Sequence, residues 1–291
     1  MTARVPDFIV AGVRKCGTTW LDRCLREHPQ IFMPSATKEL FFFDRYWSRG
    51  VAWYGEYFAD CPPDRLCGEV SPTYFTEPKA PERIASVAPD AKLVFVFRHP
   101  VERVVSLYHH MRARGDTALS LSEAIEKIPE LIKEGFYAKH FARFRTAFAP
   151  SAIHAILLDD IEADPHAAFR ALFAFVGADP SFEPATLTSR SYVRREARLH
   201  GLAQLAAWTS RKLHEMGLHR AVAFAKRLGA EKVVLRAPKA APERLDPKIA
   251  ARLYALYDPE IGELGRMLGR DLRSLWTLER ALSGGEADAQ E

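Results

Sequence analysis

The chain has 291 residues, 48% hydrophobic and 27% charged, enough for a substantial core in one large domain or one domain with an appended helical part. Its 41 basic and 37 acidic residues leave a formal net charge of +4, which suits an anionic small ligand and is too weak to argue for nucleic acid. Cys16, Cys24, Cys61 and Cys67 form no Cys-x-x-Cys pair and read as free thiols in a reducing compartment, so neither a disulfide framework nor a zinc site is expected. The start is polar after Met1 and no apolar run approaches the ~20 residues of a membrane span, so neither a signal peptide nor a span is expected, and the location expected is cytoplasmic.

The first predicted element is a strand at Phe8-Ile9-Val10-Ala11. The run breaks at Gly12, passes through a short basic loop and restarts at Gly17, with Leu21, Cys24 and Leu25 at helical spacing. In such a strand-loop-helix junction the loop N–H groups and the positive end of the helix meet at one spot, which favours a bound phosphate or sulfate. A nucleotide-triphosphatase loop reads G-x-x-x-x-G-K-[ST]. Here the spacing of Gly12 and Gly17 is kept, but Lys15 stands two residues before the second Gly and Thr18 takes the usual Lys position. The loop is expected to cradle an anion without the arrangement that hydrolyses ATP.

The helix should end near Glu27, since His28-Pro29 disfavours continuation. Residues 29 to 62 are rich in aromatic rings without a clean period, and read as packing under a loop-rich segment with a few rings free to line a cleft. A short strand is expected at Leu66 to Val70, a helix from about Ala80 to Val87, and a strand buried on both faces at Lys92 to Phe97. Pro100 opens the next helix. Residues 113 to 130 read as a polar excursion, Leu131 to Phe148 as a helix, Ile153 to Leu158 as a third buried strand and Pro165 to Val176 as a helix. Residues 183 to 200 form a basic loop, followed by helices at about 202 to 228 and 246 to 268. The repeated strand-loop-helix order predicts an α/β fold: a P-loop-type parallel β-sheet flanked by helices, with a helical C-terminal part. Residues 1–280 are expected to form a single domain, and 281–291 a disordered tail.

Ligands of an open α/β sheet bind beyond the carboxyl ends of its strands, so Arg98 and the loop from Gly12 to Thr19 should open onto one crevice. Arg98 offers a planar fork matched to phosphate, and Ser106, in the second turn of the following helix, adds a hydroxyl. Two anion sites on one ligand are implied. A Mg²⁺-dependent nucleotide hydrolase would usually carry an Asp after such a strand, where this chain has Arg98. Asp159-Asp160 reads as a helix start, so no metal is expected.

The segments Val13-Arg14-Lys15-Cys16-Gly17-Thr18-Thr19, Lys38-Glu39-x-x-Phe-Phe-Asp44, Gly68-Glu69-Val70-Ser71-Pro72-Thr73-Tyr74-Phe75 and Arg98-His99-Pro100 with Ser106 follow in that order. Together they resemble the PAPS-dependent sulfotransferases, nearest to the heparan sulfate N- and 3-O-sulfotransferases and their bacterial relatives. The stretch from Tyr257-Asp258-Pro259 to Trp276 is similar to that family's closing helix and tail.

The resemblance implies that 3′-phosphoadenylyl sulfate (PAPS) is the sulfuryl donor and adenosine 3′,5′-bisphosphate the product, with no metal. Arg14, Lys15, Cys16, Gly17, Thr18 and Thr19 would hold the 5′ side, and Arg98 and Ser106 the 3′-phosphate. The basic loop with Arg190, Arg194 and Arg195 reads either as a second contact for the 3′-phosphate, through Arg194, or as a lid or a solvated loop. Glu39 would be the catalytic base and Lys15 the group that steadies the departing phosphate. The acceptor would be a hydroxyl or amine of a sugar, glycolipid or small metabolite. Some heparan sulfate members carry a His where this chain has Phe41 and a Lys where it has Val70, and both changes weaken the case for a polyanionic acceptor. The alternative is a P-loop kinase of a nucleotide or small molecule, against which the displaced Lys15 and Arg98 both speak.

Overall fold

A run of five fully buried residues makes β1 (Phe8–Gly12) the centre of the sheet, with parallel strands on both sides. The computed structural model describes residues 4–35, 37–187, 196–197, 235–236 and 245–282. They divide into two compact units, Met1–Arg98 with Tyr137–Arg190, and His99–Phe136 with Ser191–Glu291.

In the first unit α1 (Thr18–Glu27) follows β1, and a two-residue strand β2 (Ile31–Phe32) leads through α2 (Gly50–Gly55) to β3 (Leu66–Val70). Next come α3 (Ala80–Val87) and β4 (Lys92–Phe97). The five strands, completed by β5 (Ile153–Leu157), lie all parallel in the order β2-β3-β1-β4-β5. Ile9 pairs with Glu69 on one side and with Leu93 on the other. The chain therefore leaves β1 between two strands reached by opposite crossovers, the position where an open sheet forms a ligand crevice. Helices cover the sheet. Phe141 and Phe144 meet Phe75, Phe95 and Phe97, while Trp20 packs edge-on to Phe169 at 5.0 Å.

The second unit holds α4 (Pro100–Arg114), α5 (Leu121–Lys127), which lies inside the expected polar excursion, and α6 (Pro129–Lys133), which runs past its end. Leu131 to Phe148 is not one helix. The chain breaks at Gly135, where a Cβ would lie 2.7 Å from the Tyr257 ring, and Tyr257 Oη donates to the Ile132 carbonyl at 2.8 Å. Only from Tyr137 does α7 (Tyr137–Ala147) run on, in the first unit, followed there by α8 (Leu158–Ala163) and α9 (Pro165–Val176). Asp159 and Asp160 open α8 as a helix start.

Short strands β6 (Glu196–Ala197) and β7 (Leu235–Arg236) pair antiparallel in the second unit. Then α10 (Pro247–Leu268), capped by Asp246, and α11 (Leu272–Leu275) form the helical C-terminal part. Residues 278–282 are helical with Ala281 buried. The helix expected at 202–228 and the tail from 283 lie outside the described residues.

Two details of composition resolve. Phe42, Phe43, Tyr54 and Phe58 of the aromatic segment are buried, Phe42 stacking on Tyr54 at 4.3 Å, so packing accounts for most of these rings. The expectation of four free thiols fails for one pair: Cys61 and Cys67 are joined by a disulfide, their Cα atoms 6.5 Å apart, within the usual span. Cys16 and Cys24 are free and buried. The compartment argument from thiols therefore does not extend to Cys61 and Cys67.

Candidate active site

Carboxyl ends of β3, β1 and β4 stand side by side, so Ser71, the loop after Gly12 and Arg98 leave the same edge of the sheet. Val13 N still donates to Val96 O at 3.1 Å; beyond it the loop turns away from the sheet. Lys15 takes φ 68° and Gly17 φ 85°, both left-handed, the kind of backbone from which anion-binding turns are built. Gly17 is the N-cap of α1 and supplies no side-chain acceptor, so the first-turn N–H groups have no cap from it. At the start of the loop Gly12 fits against Phe75, where a Cβ would lie 2.8 Å from the Phe75 Cβ.

Side chains of the loop divide by burial. Cys16 is buried and its Sγ reaches the Arg14 carbonyl at 3.7 Å, so what Cys16 can offer a ligand is its main chain. Arg14 and Lys15 are half-buried, Thr18 is buried and Thr19 exposed. Lys38 Nζ donates to Thr18 Oγ1 at 3.3 Å and to Thr19 Oγ1 at 3.2 Å, and lies 3.5 Å from Glu39 Oε1. One ammonium thus joins the hydroxyls of the anion loop to the carboxylate of the expected base. Glu39 is half-buried, its side chain 27% exposed, so a proton acceptor there remains reachable.

Residues after Glu39 are held from β3 and the turn that follows. Leu40 N donates to Ser71 Oγ at 3.1 Å and Phe42 N to Tyr74 Oη at 2.9 Å. Ser71 Oγ and Tyr74 Oη both donate to Glu69 Oε1 at 2.6 Å, and Tyr54 Oη to Glu69 Oε2 at 2.5 Å. Glu69 is fully buried, and burial pushes its carboxyl up to about 7 against the lowering effect of these three hydroxyls. Asp44, the last residue of the Glu39 motif, is likewise raised by burial.

The remaining expected residues belong to both units. Arg98 closes the first unit, half-buried, its carbonyl accepting from Tyr137 Oη at 3.0 Å. Ser106 is half-buried on α4 in the second unit. Arg194 lies outside the described residues. His99 is structural: Nδ1 accepts from Val101 N at 3.2 Å as the cap of α4, and Nε2 pairs with the Thr277 carbonyl at 3.1 Å. Among the described residues no group of three or more His, Cys, Asp or Glu is placed to hold a metal ion, and no helix is long and apolar enough to cross a membrane.

Sequence reasoning misses two features. In the sequence Lys38 is one letter of the motif around Glu39, whereas its reach to Thr18 and Thr19 depends on a contact across the fold. Glu69 enters only as one letter of a motif, although a carboxylate in the strand Leu-Cys-Gly-Glu-Val, with hydroxyls two and five residues on, is a visible signal.

A model of the sulfotransferase domain matches residues 5–198. The membrane-associated sulfotransferase kil1 of Dictyostelium discoideum is 40% identical over 108 residues, 36% of this chain and 23% of its own length. The bifunctional heparan sulfate N-deacetylase/N-sulfotransferase 3 of Homo sapiens is 32% identical over 201 residues, 62% of this chain and 23% of its own. The chain thus spans under a quarter of the length of either relative. Among solved structures, a sulfotransferase from Alicyclobacillus acidocaldarius shares the fold with a TM-score of 0.69 at 24% identity, over 94% of this chain and 99% of that one.

Proposed function

The chain belongs to the sulfotransferase domain family, and from that premise we propose that it moves a sulfuryl group from PAPS to a hydroxyl or amine, with Glu39 as the base. The observation that carries this reading is the ammonium of Lys38, set between the anion loop hydroxyls of Thr18 and Thr19 and the Glu39 carboxylate. It gives the base and the anion cradle a common partner and so holds them side by side.

The loop suits the donor's 5′ side by its left-handed Lys15 and Gly17 and its hydroxyls. When bound, the donor supplies a sulfuryl group linked to that 5′-phosphate. Glu39 takes the acceptor's proton as the acceptor atom bonds to sulfur. Lys15, Lys38 and the loop N–H groups stabilise the negative charge that grows on the phosphate oxygen as its bond to sulfur breaks. Arg98 and Ser106, with Arg194 as a further candidate, hold the 3′-phosphate and so distinguish this nucleotide from ATP. Residues 1–280 act as one catalytic domain, without a metal and in the cytoplasm. A P-loop kinase would place Lys directly after Gly17, where this chain has Thr18.

Within the family, the segment Lys38-Glu39-x-x-Phe-Phe-Asp44 and the N-sulfotransferase relative support kinship with the heparan sulfate branch. Phe41 stands where a polar group would face a polyanionic chain, and favours a less charged sugar, glycolipid or metabolite as acceptor, whereas Val70 is fully buried in β3 and does not bear on the choice.

Thermal unfolding tests the donor site. Adenosine 3′,5′-bisphosphate at about 100 times a micromolar Kd should add about 2.7 kcal/mol of stability, while ATP with Mg²⁺ adds much less; equal stabilisation by both would overturn the reading. Glu39→Gln should lose turnover and keep nucleotide binding, and Arg98→Ala should lose binding. Incubation with ³⁵S-labelled PAPS and an extract of the source organism, followed by identification of the labelled product, names the acceptor.

A further inference from the structure

Glu69 is a carboxylate at the site edge that the proposed chemistry leaves unused. It is the penultimate residue of β3, opposite Ile9 of β1, and wholly buried. A buried carboxylate is costly, and folding of an otherwise apolar strand does not call for one. Three hydroxyls compensate it through short, charge-assisted bonds of 2.5 to 2.6 Å.

Each of those hydroxyls has a single proton. With their protons committed to Glu69, Ser71 Oγ and Tyr74 Oη present only lone pairs to their other neighbours, the N–H groups of Leu40 and Phe42. Between those two amides Phe41 takes φ 54°, a left-handed conformation that a non-Gly residue adopts only against steric strain. Fixing the amide on either side holds that turn in place, and Glu39 is its first neighbour.

We propose that Glu69 is a positioning residue: by setting the proton direction of Ser71 and Tyr74 it makes both of them acceptors for the main chain after Glu39, and so places the Glu39 carboxylate at the anion loop. The idea rests on the reading of Glu39 as the base. Groups facing Glu69 are Tyr54, Ser71 and Tyr74 by direct bond and Asp44 through space, and its charge is also felt at Tyr57. With its carboxyl near 7, Glu69 takes up a proton as pH falls. Protonated on Oε1, the oxygen that Ser71 and Tyr74 share, it donates to one of them, and a phenol, whose proton has only two in-plane positions, then turns that proton toward Phe42 N and loses the link.

Glu69→Gln tests this, since the amide keeps the shape but brings a donor where only acceptors belong. At saturating donor and acceptor fraction, kcat should fall about 100-fold, the scale of a misplaced reacting group, while the Kd for adenosine 3′,5′-bisphosphate stays at the wild-type value. The acidic limb of the kcat profile near pH 7 should disappear, and hydrogen exchange at Leu40 and Phe42 should speed up. Tyr74→Phe, which keeps the packing, should release Phe42 alone and reduce kcat less, and carries the test if Glu69→Gln does not fold. Wild-type kcat with an unchanged acidic limb, or slow exchange retained at both amides, overturns the proposal. Parallel loss of kcat and nucleotide affinity overturns it too, because that reports general structural damage. Glu39→Gln at the wild-type rate instead defeats the assignment of the base, while exchange at Leu40 and Phe42 still judges the link from Glu69.

Discussion

Lys38 Nζ lies 3.5 Å from Glu39 Oε1 while donating to the hydroxyls of Thr18 and Thr19. A carboxylate base and an anion-binding loop are thereby tied through one cation. Lys38→Met keeps the aliphatic stem and removes the charge. Losing a donor aimed at developing charge costs about 10²–10³ in kcat where water is excluded. Lys38 is 22% exposed, so screening brings the expected loss nearer tenfold. Steady-state kinetics with labelled donor check it, and an unchanged kcat would remove Lys38 from the transition state.

In the second unit a buried pair should dominate the stability of its helices. Arg103, fully buried on α4, reaches Glu134 Oε2 at 3.4 Å and donates to the Leu131 carbonyl at 2.5 Å. Removing one partner of a buried pair strands the other charge, so Arg103→Ala should cost about 3–5 kcal/mol in urea unfolding. Replacing Arg103 and Glu134 together by apolar residues should cost less than Arg103→Ala alone. A single variant within ~0.5 kcal/mol of wild type would show that the pair is not buried in solution.

The fold was legible where burial leaves a one-dimensional mark. β1 and β4, covered on both faces, keep unbroken β-prone runs, and Pro100 and Asp246 announce helix starts by local chemistry. The anion loop was legible because its backbone needs glycine at fixed spacing. Other features depend on partners far along the chain. β2 is two residues long and leaves no period; the break between α6 and α7 follows from Tyr257 packing on Gly135; Lys38 finds Thr18 and Thr19 only after folding. Cys61 and Cys67 carried no framework signal in a chain of this length, yet they pair.

Glu69 should leave a mark on the pH dependence of stability. Its carboxyl is raised by burial from 4.5 to about 7, so between those values the folded state binds a proton that the unfolded state has lost. The stability slope is set by protons bound unfolded minus protons bound folded, which is negative here, so the contribution falls as pH rises through that window. The slope approaches about 1.4 kcal/mol per pH unit where the difference is one full proton. Subtracting the unfolding curve of Glu69→Gln from that of the wild type isolates it. A flat difference between pH 5 and 7 would mean that Glu69 titrates normally.

Gly17 should matter twice, once to the fold and once to the ligand. At φ 85° an added Cβ is strained by roughly 1–2 kcal/mol, and it would meet Leu158 Cδ1 at 3.3 Å. Gly177, which closes α9 at φ 97°, is the matched control: its added Cβ meets only Lys92 Nζ, at 3.7 Å. Gly17→Ala and Gly177→Ala should therefore lower stability by comparable amounts. Only Gly17→Ala should also turn the loop N–H groups away from the anion, weakening adenosine 3′,5′-bisphosphate by about tenfold for each 1.4 kcal/mol of binding free energy removed. Calorimetric titration of both variants decides between a loop that binds and a loop that merely turns: equal affinities would leave Gly17 a helix cap and no more.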